Sequence, residues 1–157
     1  MNTHRRPNIG LMLTALTVMG CSGETGGDGT LQALGADVSQ TAQQGAMPGP
    51  EGGTLGDGTY DLVARWVYDG ISPSSSTMRL SVRFSNGARR LEFISIISGQ
   101  TKRGTADISV SPGTITETPL SPPEWVGRTE MELYSTKGTD LWFSRQTEVL
   151  VLRRRGT

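Results

Sequence analysis

Thr77-Met78-Arg79-Leu80-Ser81-Val82-Arg83-Phe84 is the stretch that decides the fold. In an extended chain Met78, Leu80, Val82 and Phe84 fall on one side, and Thr77, Arg79, Ser81 and Arg83 on the other. A period of two describes a half-buried strand rather than a helix. Asn86-Gly87 follows, a pair that accepts the left-handed backbone of a hairpin turn, and Arg90-Leu91-Glu92-Phe93 resumes the alternation. Outward from this hairpin, residues 59–68, 105–110, 114–118, 128–134, 141–144 and 148–153 carry further strand patterns. Ser111-Pro112-Gly113 and Lys137-Gly138-Thr139 read as turns, and Pro119, Pro122 and Pro123 break the chain before Trp125. No segment of this region keeps helical spacing. The expected fold is all-β: an antiparallel up-and-down meander closed into a small barrel or left half-open, with a sandwich as the competing arrangement.

The remainder of the chain limits what such a domain could do. Its 157 residues suffice for one modest domain. Fifteen basic and fifteen acidic residues cancel, which argues against a nucleic-acid partner. A single Cys and a single His leave no material for a disulfide framework, a Cys/His zinc site or a Cys–His catalytic pair.

Residues 1–20 read as an export signal: Arg5 and Arg6 precede the apolar run Ile9-Gly10-Leu11-Met12-Leu13-Thr14-Ala15-Leu16-Thr17-Val18-Met19. That run is too short to span a bilayer, which takes about 20 residues. It ends at Val18-Met19-Gly20-Cys21, which resembles the lipobox of bacterial lipoproteins. The resemblance implies a diacylglycerol on the Cys21 thiol, cleavage before Cys21 and acylation of the new amine, so that the membrane is a partner through Cys21. Ser22 follows where an Asp would retain such a protein at the inner membrane, and the outer membrane is the expected location. Processing would also remove His4, Arg5 and Arg6, leaving 13 basic and 15 acidic residues and no His.

Residues 21–53 are expected to be the lipidated Cys and a flexible tether, and residues 54–157 the β domain. From Ser22 to Gly53 there is no aromatic residue, no Lys and no Arg, and nine of the 32 residues are Gly. Such a composition buries too little apolar surface to offset its ordering entropy. Leu31, Leu34 and Val38 suggest a transient helix at most. As a coil, this stretch would span about 30 Å. Gly-Asp-Gly-Thr occurs at 27–30 and again at 56–59, but two distant copies read as turns rather than as a stacked calcium-binding repeat.

Gly58-Thr59-Tyr60 at the head of the first predicted strand resembles the Gly-x-Trp that opens lipocalins, with Tyr in place of Trp. The likeness to lipocalin-like domains of bacterial lipoproteins spans about residues 56–155. It implies a barrel whose last strand returns to its first, with Arg153 or Arg154 packed over the Tyr60 ring. It also implies a small apolar ligand, although a barrel this short leaves little height for a cavity and tends to fill with side chains.

Residues able to carry chemistry are few. No nucleophile elbow or phosphate loop is present. A serine nucleophile in Ser72–Ser76 would need Lys102 or Lys137 as its base. Glu130 and Glu132 are placed on the solvent side of their strand, opposite Met131 and Leu133, and Asp61 and Asp107 also read as outward-facing. Most aromatics are expected in the core, with Trp125 and Trp142 as candidate exposed contacts. Arg89-Arg90, Lys102-Arg103 and Arg153-Arg154-Arg155 could form an anionic-polymer patch or simply protect strand edges. Small residues Ala64, Ser95 and Ala106 would leave room inside. The expectation is therefore a non-enzymatic, lipid-anchored envelope protein without metal or cofactor. It either binds a small apolar ligand or envelope component, or acts as a structural or interaction module with a filled core.

Overall fold

The computed structural model describes residues 29–156. The predicted signal peptide, Cys21 and the first half of the first Gly-Asp-Gly-Thr lie outside the described residues. Nine strands follow one another: β1 (Val38–Ala42), β2 (Gly58–Val67), β3 (Thr77–Ser85), β4 (Arg90–Ile97), β5 (Gln100–Ser111), β6 (Thr114–Ser121), β7 (Glu130–Lys137), β8 (Asp140–Arg145) and β9 (Glu148–Arg154). From β2 to β9 each strand pairs antiparallel with the next, and β9 pairs back onto β2 from Tyr60↔Arg154 to Val67↔Glu148. The molecule is an all-β, barrel-like ring. One rim holds Gly58, the turns after Ser85, Ser111 and Lys137, and Arg154. The second rim holds the loop after Val67, the turn after Ile97, the loop between β6 and β7, and the turn after Arg145.

Short turns make the meander possible. Asn86, Gly87 and Ala88 all adopt positive φ (60°, 67° and 55°) between the paired residues Ser85 and Arg90. The Asp57 carboxylate secures this turn by accepting from the Gly87 and Ala88 amides at 3.0 and 2.7 Å. Those two backbone donors hold its carboxyl below the usual carboxylate range. A second hairpin, at Ser98-Gly99 with φ of 49° and 82°, joins Ile97 to Gln100 and starts β5 five residues before its expected beginning. Two successive left-handed residues match the twist of paired strands.

Inside the ring, Tyr60, Leu62, Leu80, Val82, Phe84, Leu91, Phe93, Ile108, Ile115, Tyr134, Leu141, Phe143, Leu150 and Leu152 form a continuous buried core. The Met78–Phe84 alternation falls on this inner face as expected. A bulge at Val63 shifts the register of β2 against β9. One extra residue exchanges the faces of everything beyond it. Ala64 therefore packs outside with Val151, contrary to its expected inner place, while Arg65 turns in beside Leu150.

The largest departure from expectation is the tether. Residues 30–53 wrap the ring. Arg83 Nη1, Arg103 Nη1 and Arg155 Nη2 donate to the carbonyls of Gly29, Leu31 and Gln32, at 2.7, 2.6 and 3.1 Å. β1 then enters where β2 and β3 splay apart, pairing parallel to β2 (Gln40↔Arg65 to Ala42↔Val67) and antiparallel to β3. Farther on, Met47 covers an outer apolar cluster of Tyr68, Val149, Val151, Trp66 and Trp142. Finally Gly52 joins β7, donating to the Tyr134 carbonyl and accepting from the Thr136 amide. Residues 38–42 are thus a strand and not a transient helix, and residues up to Gly52 bond to the ring. A glycine-rich chain orders here because the ring supplies the apolar face and the hydrogen-bonding groups that the segment lacks by itself.

Candidate functional site

The most unusual chemistry lies within the ring, toward the second rim. On β6, Glu117 shares the inner face with Ile115; on β7, Glu130 and Glu132 share it with Tyr134; on β8, Arg145 shares it with Phe143. Glu117 and Glu132 are almost wholly buried. Glu130 is the direct cross-strand partner of Glu117, and Arg145 Nε lies 3.7 Å from Glu132 Oε2. Glu130 and Glu132 were expected to face solvent; the structure reverses that face and leaves Met131 exposed. Sequence alternation alone is symmetric: Glu-Met-Glu-Leu-Tyr gives two interleaved sets, and Tyr134 belongs to the glutamate set.

Burial pushes the Glu117 carboxyl up to about 8, and the neighbouring Glu132 and Glu130 reinforce the shift against the opposing pull of Arg145. Glu130 is raised by burial as well, while Arg128 and Arg145 counteract it. Glu117 Oε1 and Glu130 Oε2 are buried without a hydrogen-bond partner. Nearby on the same face, Arg65 is anchored by Nε to Glu148 Oε1 at 2.8 Å and by Nη1 to the Ser76 carbonyl at 2.9 Å. Gln40 of β1 also donates to Glu148 Oε1, at 2.9 Å, so the wrapping segment contributes to this polar end.

Trp125 closes the core beneath the second rim. Carried by a 3₁₀ turn over Pro123–Trp125, its ring stacks on Phe93 with centroids 5.7 Å apart and planes 16° from parallel. Gly104 makes this approach possible: a Cβ there would stand 2.5 Å from Phe93 Cε1 and 2.9 Å from Trp125 Cζ3. Trp142 lies outside, edge-on to Trp66 at 5.1 Å, with Lys137 Nζ 5.8 Å from its ring centroid and Met47 covering the cluster. Both are half-buried. Trp125 acts as a plug, and Trp142 is part of a covered outer cluster.

Tyr60, Arg153 and Arg154 meet on the closing strands. Tyr60 is the register partner of Arg154, and its ring meets Phe84 edge-on at 5.8 Å. The Arg154 guanidinium lies against Gly58, whose Cβ would come within 2.9 Å of Nε, and Nη2 donates to the Asp57 carbonyl at 2.7 Å. Arg153 turns instead to Asp140 on β8, with bonds of 2.9 and 3.1 Å. Arg155 forks onto Asp61, and Arg90 pairs with Asp107. Burial raises the Asp61 carboxyl, but bonds from Arg155 and Ser81 outweigh it and leave the group below its ordinary value. The arginines that suggested an anionic patch are therefore largely engaged with carboxylates and backbone carbonyls.

Other candidate groups remain apart. Ser72–Ser76 belong to the second-rim loop, where Ser74 binds Gln40, while Lys137 stands at the first rim paired with Glu51. Lys102 is on β5 opposite Ser95. Among the described residues no cluster of His, Cys, Asp and Glu is arranged to hold a metal ion. A cleft of about 360 Å³ opens on the first rim between Leu55, the Gly87–Arg89 turn and Ile108–Val110. Comparison with protein-family models, curated proteins and solved structures finds no match to this chain.

Proposed function

We propose that this chain is an exported, lipid-anchored protein whose β ring is a non-enzymatic interaction module acting through its outer surface. The filled interior is the observation that supports this reading over a lipocalin-like carrier of an apolar ligand. Tyr60, Phe84, Phe93, Tyr134 and Phe143 occupy the inner face, and Trp125 plugs it. The buried carboxylates add a polar end that is unsuited to an apolar guest. Export and the anchor rest on the Arg5–Cys21 segment and its resemblance to the lipobox.

Native mass spectrometry of the protein beginning at Ser22 tests the module reading: the expected result is the bare chain mass. A copurified lipid or other apolar molecule would restore the ligand-binding reading, with the Leu55–Val110 cleft as the first place to seek it. Cys21→Ser in the full chain should abolish palmitate labelling and release the protein from membranes. Equal membrane recovery for mutant and wild type would overturn the anchor.

A further inference from the structure

The β6–β7 pairing carries the buried carboxylates Glu132 and Glu117 and ends on the Glu117–Glu130 pair. It runs from Thr114↔Leu133 to Glu117↔Glu130, whereas β3–β4 pairs along the full length from Ser85↔Arg90 to Met78↔Ile97. Toward the first rim the seam is extended by Tyr134 donating to the Gly113 carbonyl and by Gly52 bridging to Ser135. Toward the second rim, Thr118 to Ser121 pair with β5 and not with β7 among the described residues. The last rung of the seam is thus a pair of glutamates on the inner face, with a third glutamate two residues along β7.

We propose that this seam is a proton-held latch: the carboxyl proton of Glu117 keeps β6 and β7 closed, and its loss parts the strands toward the second rim. The groups facing Glu117 account for the behaviour. Across the seam are Glu130 and Glu132, and beyond them Arg145 is the cation within reach on β8. On the other side, β5 presents Ile108, which offers no charge. Removing the proton puts a charge on buried Glu117 opposite Glu130 and beside Glu132, with Arg145, and Arg128 next to Glu130, as the opposing cations. Like charges directly opposite on paired strands destabilise the pairing. Opening the seam to water relieves both the repulsion and the desolvation. The released proton passes to solvent base, and no other bond changes.

Glu117 ionises near pH 8 when closed and near its ordinary value of 4.5 when exposed to water. Each opening therefore releases one proton between those limits. The opening equilibrium should rise about tenfold per pH unit and level off above pH 8. Hydrogen exchange of the full chain in detergent, divided by the intrinsic exchange rate, reads this directly. Peptides covering 114–121 and 128–133 should show the rise, those covering the β3–β4 hairpin should not, and Glu117→Gln should flatten it. A pH-independent seam, an equal rise in β3–β4, or an unchanged rise in Glu117→Gln would overturn the latch. If Glu117→Gln does not fold, the wild-type contrast between seam and hairpin decides alone.

Discussion

Glu117 has the same carboxyl as Glu124 or Glu92, and only its surroundings make it different. Its folded value lies above its unfolded one, so the stability tied to its proton is complete below about pH 4.5 and is lost as pH rises to about 8. Asp61 acts in the opposite sense: its lowered carboxyl adds stability above its unfolded value and loses it as pH falls through the folded one. Denaturant midpoints measured across pH should therefore fall between about pH 4.5 and 8 and then level off, and Glu117→Gln should remove that fall while leaving the loss at low pH in place. Gly104 offers a purely steric test. Its φ is not positive, so Gly104→Ala costs stability only through the collision with Phe93 and Trp125. Overpacking of this kind costs about 1–3 kcal/mol. With Trp66 and Trp142 replaced by Phe, the remaining Trp125 emission should shift to the red in Gly104→Ala; an unshifted spectrum would mean that the stack moves aside freely. None of this was legible beforehand, because a glycine in a strand and a glutamate between apolar residues look alike wherever they stand.

Among the elements, β2 through β9 were legible because each alternates with period two between turn residues. The starts of β4 and β6 follow Asn-Gly and Pro-Gly signals, whereas β5 begins early because Ser98 adopts a left-handed conformation that its side chain does not advertise. β1 and the residues around it escaped notice for a different reason. Their sequence is poor in the branched and aromatic residues of strands, and they order by docking onto a finished surface. Starting the protein at Thr54 should therefore be costly. It strips β1 from the β2–β3 gap and Met47 from Val149, Val151, Trp66 and Trp142. Each aliphatic side chain returned to water loses up to about 1.5–3 kcal/mol. Equilibrium unfolding should show a markedly lower midpoint for the shortened chain, or aggregation; an unchanged midpoint would mean that the wrap contributes nothing. Limited proteolysis of the longer protein gives a parallel measure. Its resistant fragment should still contain residues 38–53 rather than begin near residue 54, as mass spectrometry of the digest will show.

For the molecule as a whole, ring closure brings the ends of the meander together and places Arg154 opposite Tyr60 across about ninety residues of sequence. The same closure creates the inner space in which carboxylates on β6 and β7 confront one another. Sequence by itself determined the class of fold, the strands and most turns, because alternation and turn chemistry are local and repeat every few residues. It also supplied the export and lipidation expectations, which rest on a linear motif. Tertiary structure alone decided which of two alternating faces points inward on β7, since both sets there contain apolar members and the choice depends on the register with β6 and β8. It likewise decided the fate of Ala64 and Arg65, because one bulged residue exchanges the faces beyond it. The wrapping of residues 30–53 belongs with these: a segment with little apolar surface of its own takes its order from the surface it covers, and that surface exists only once the ring has closed.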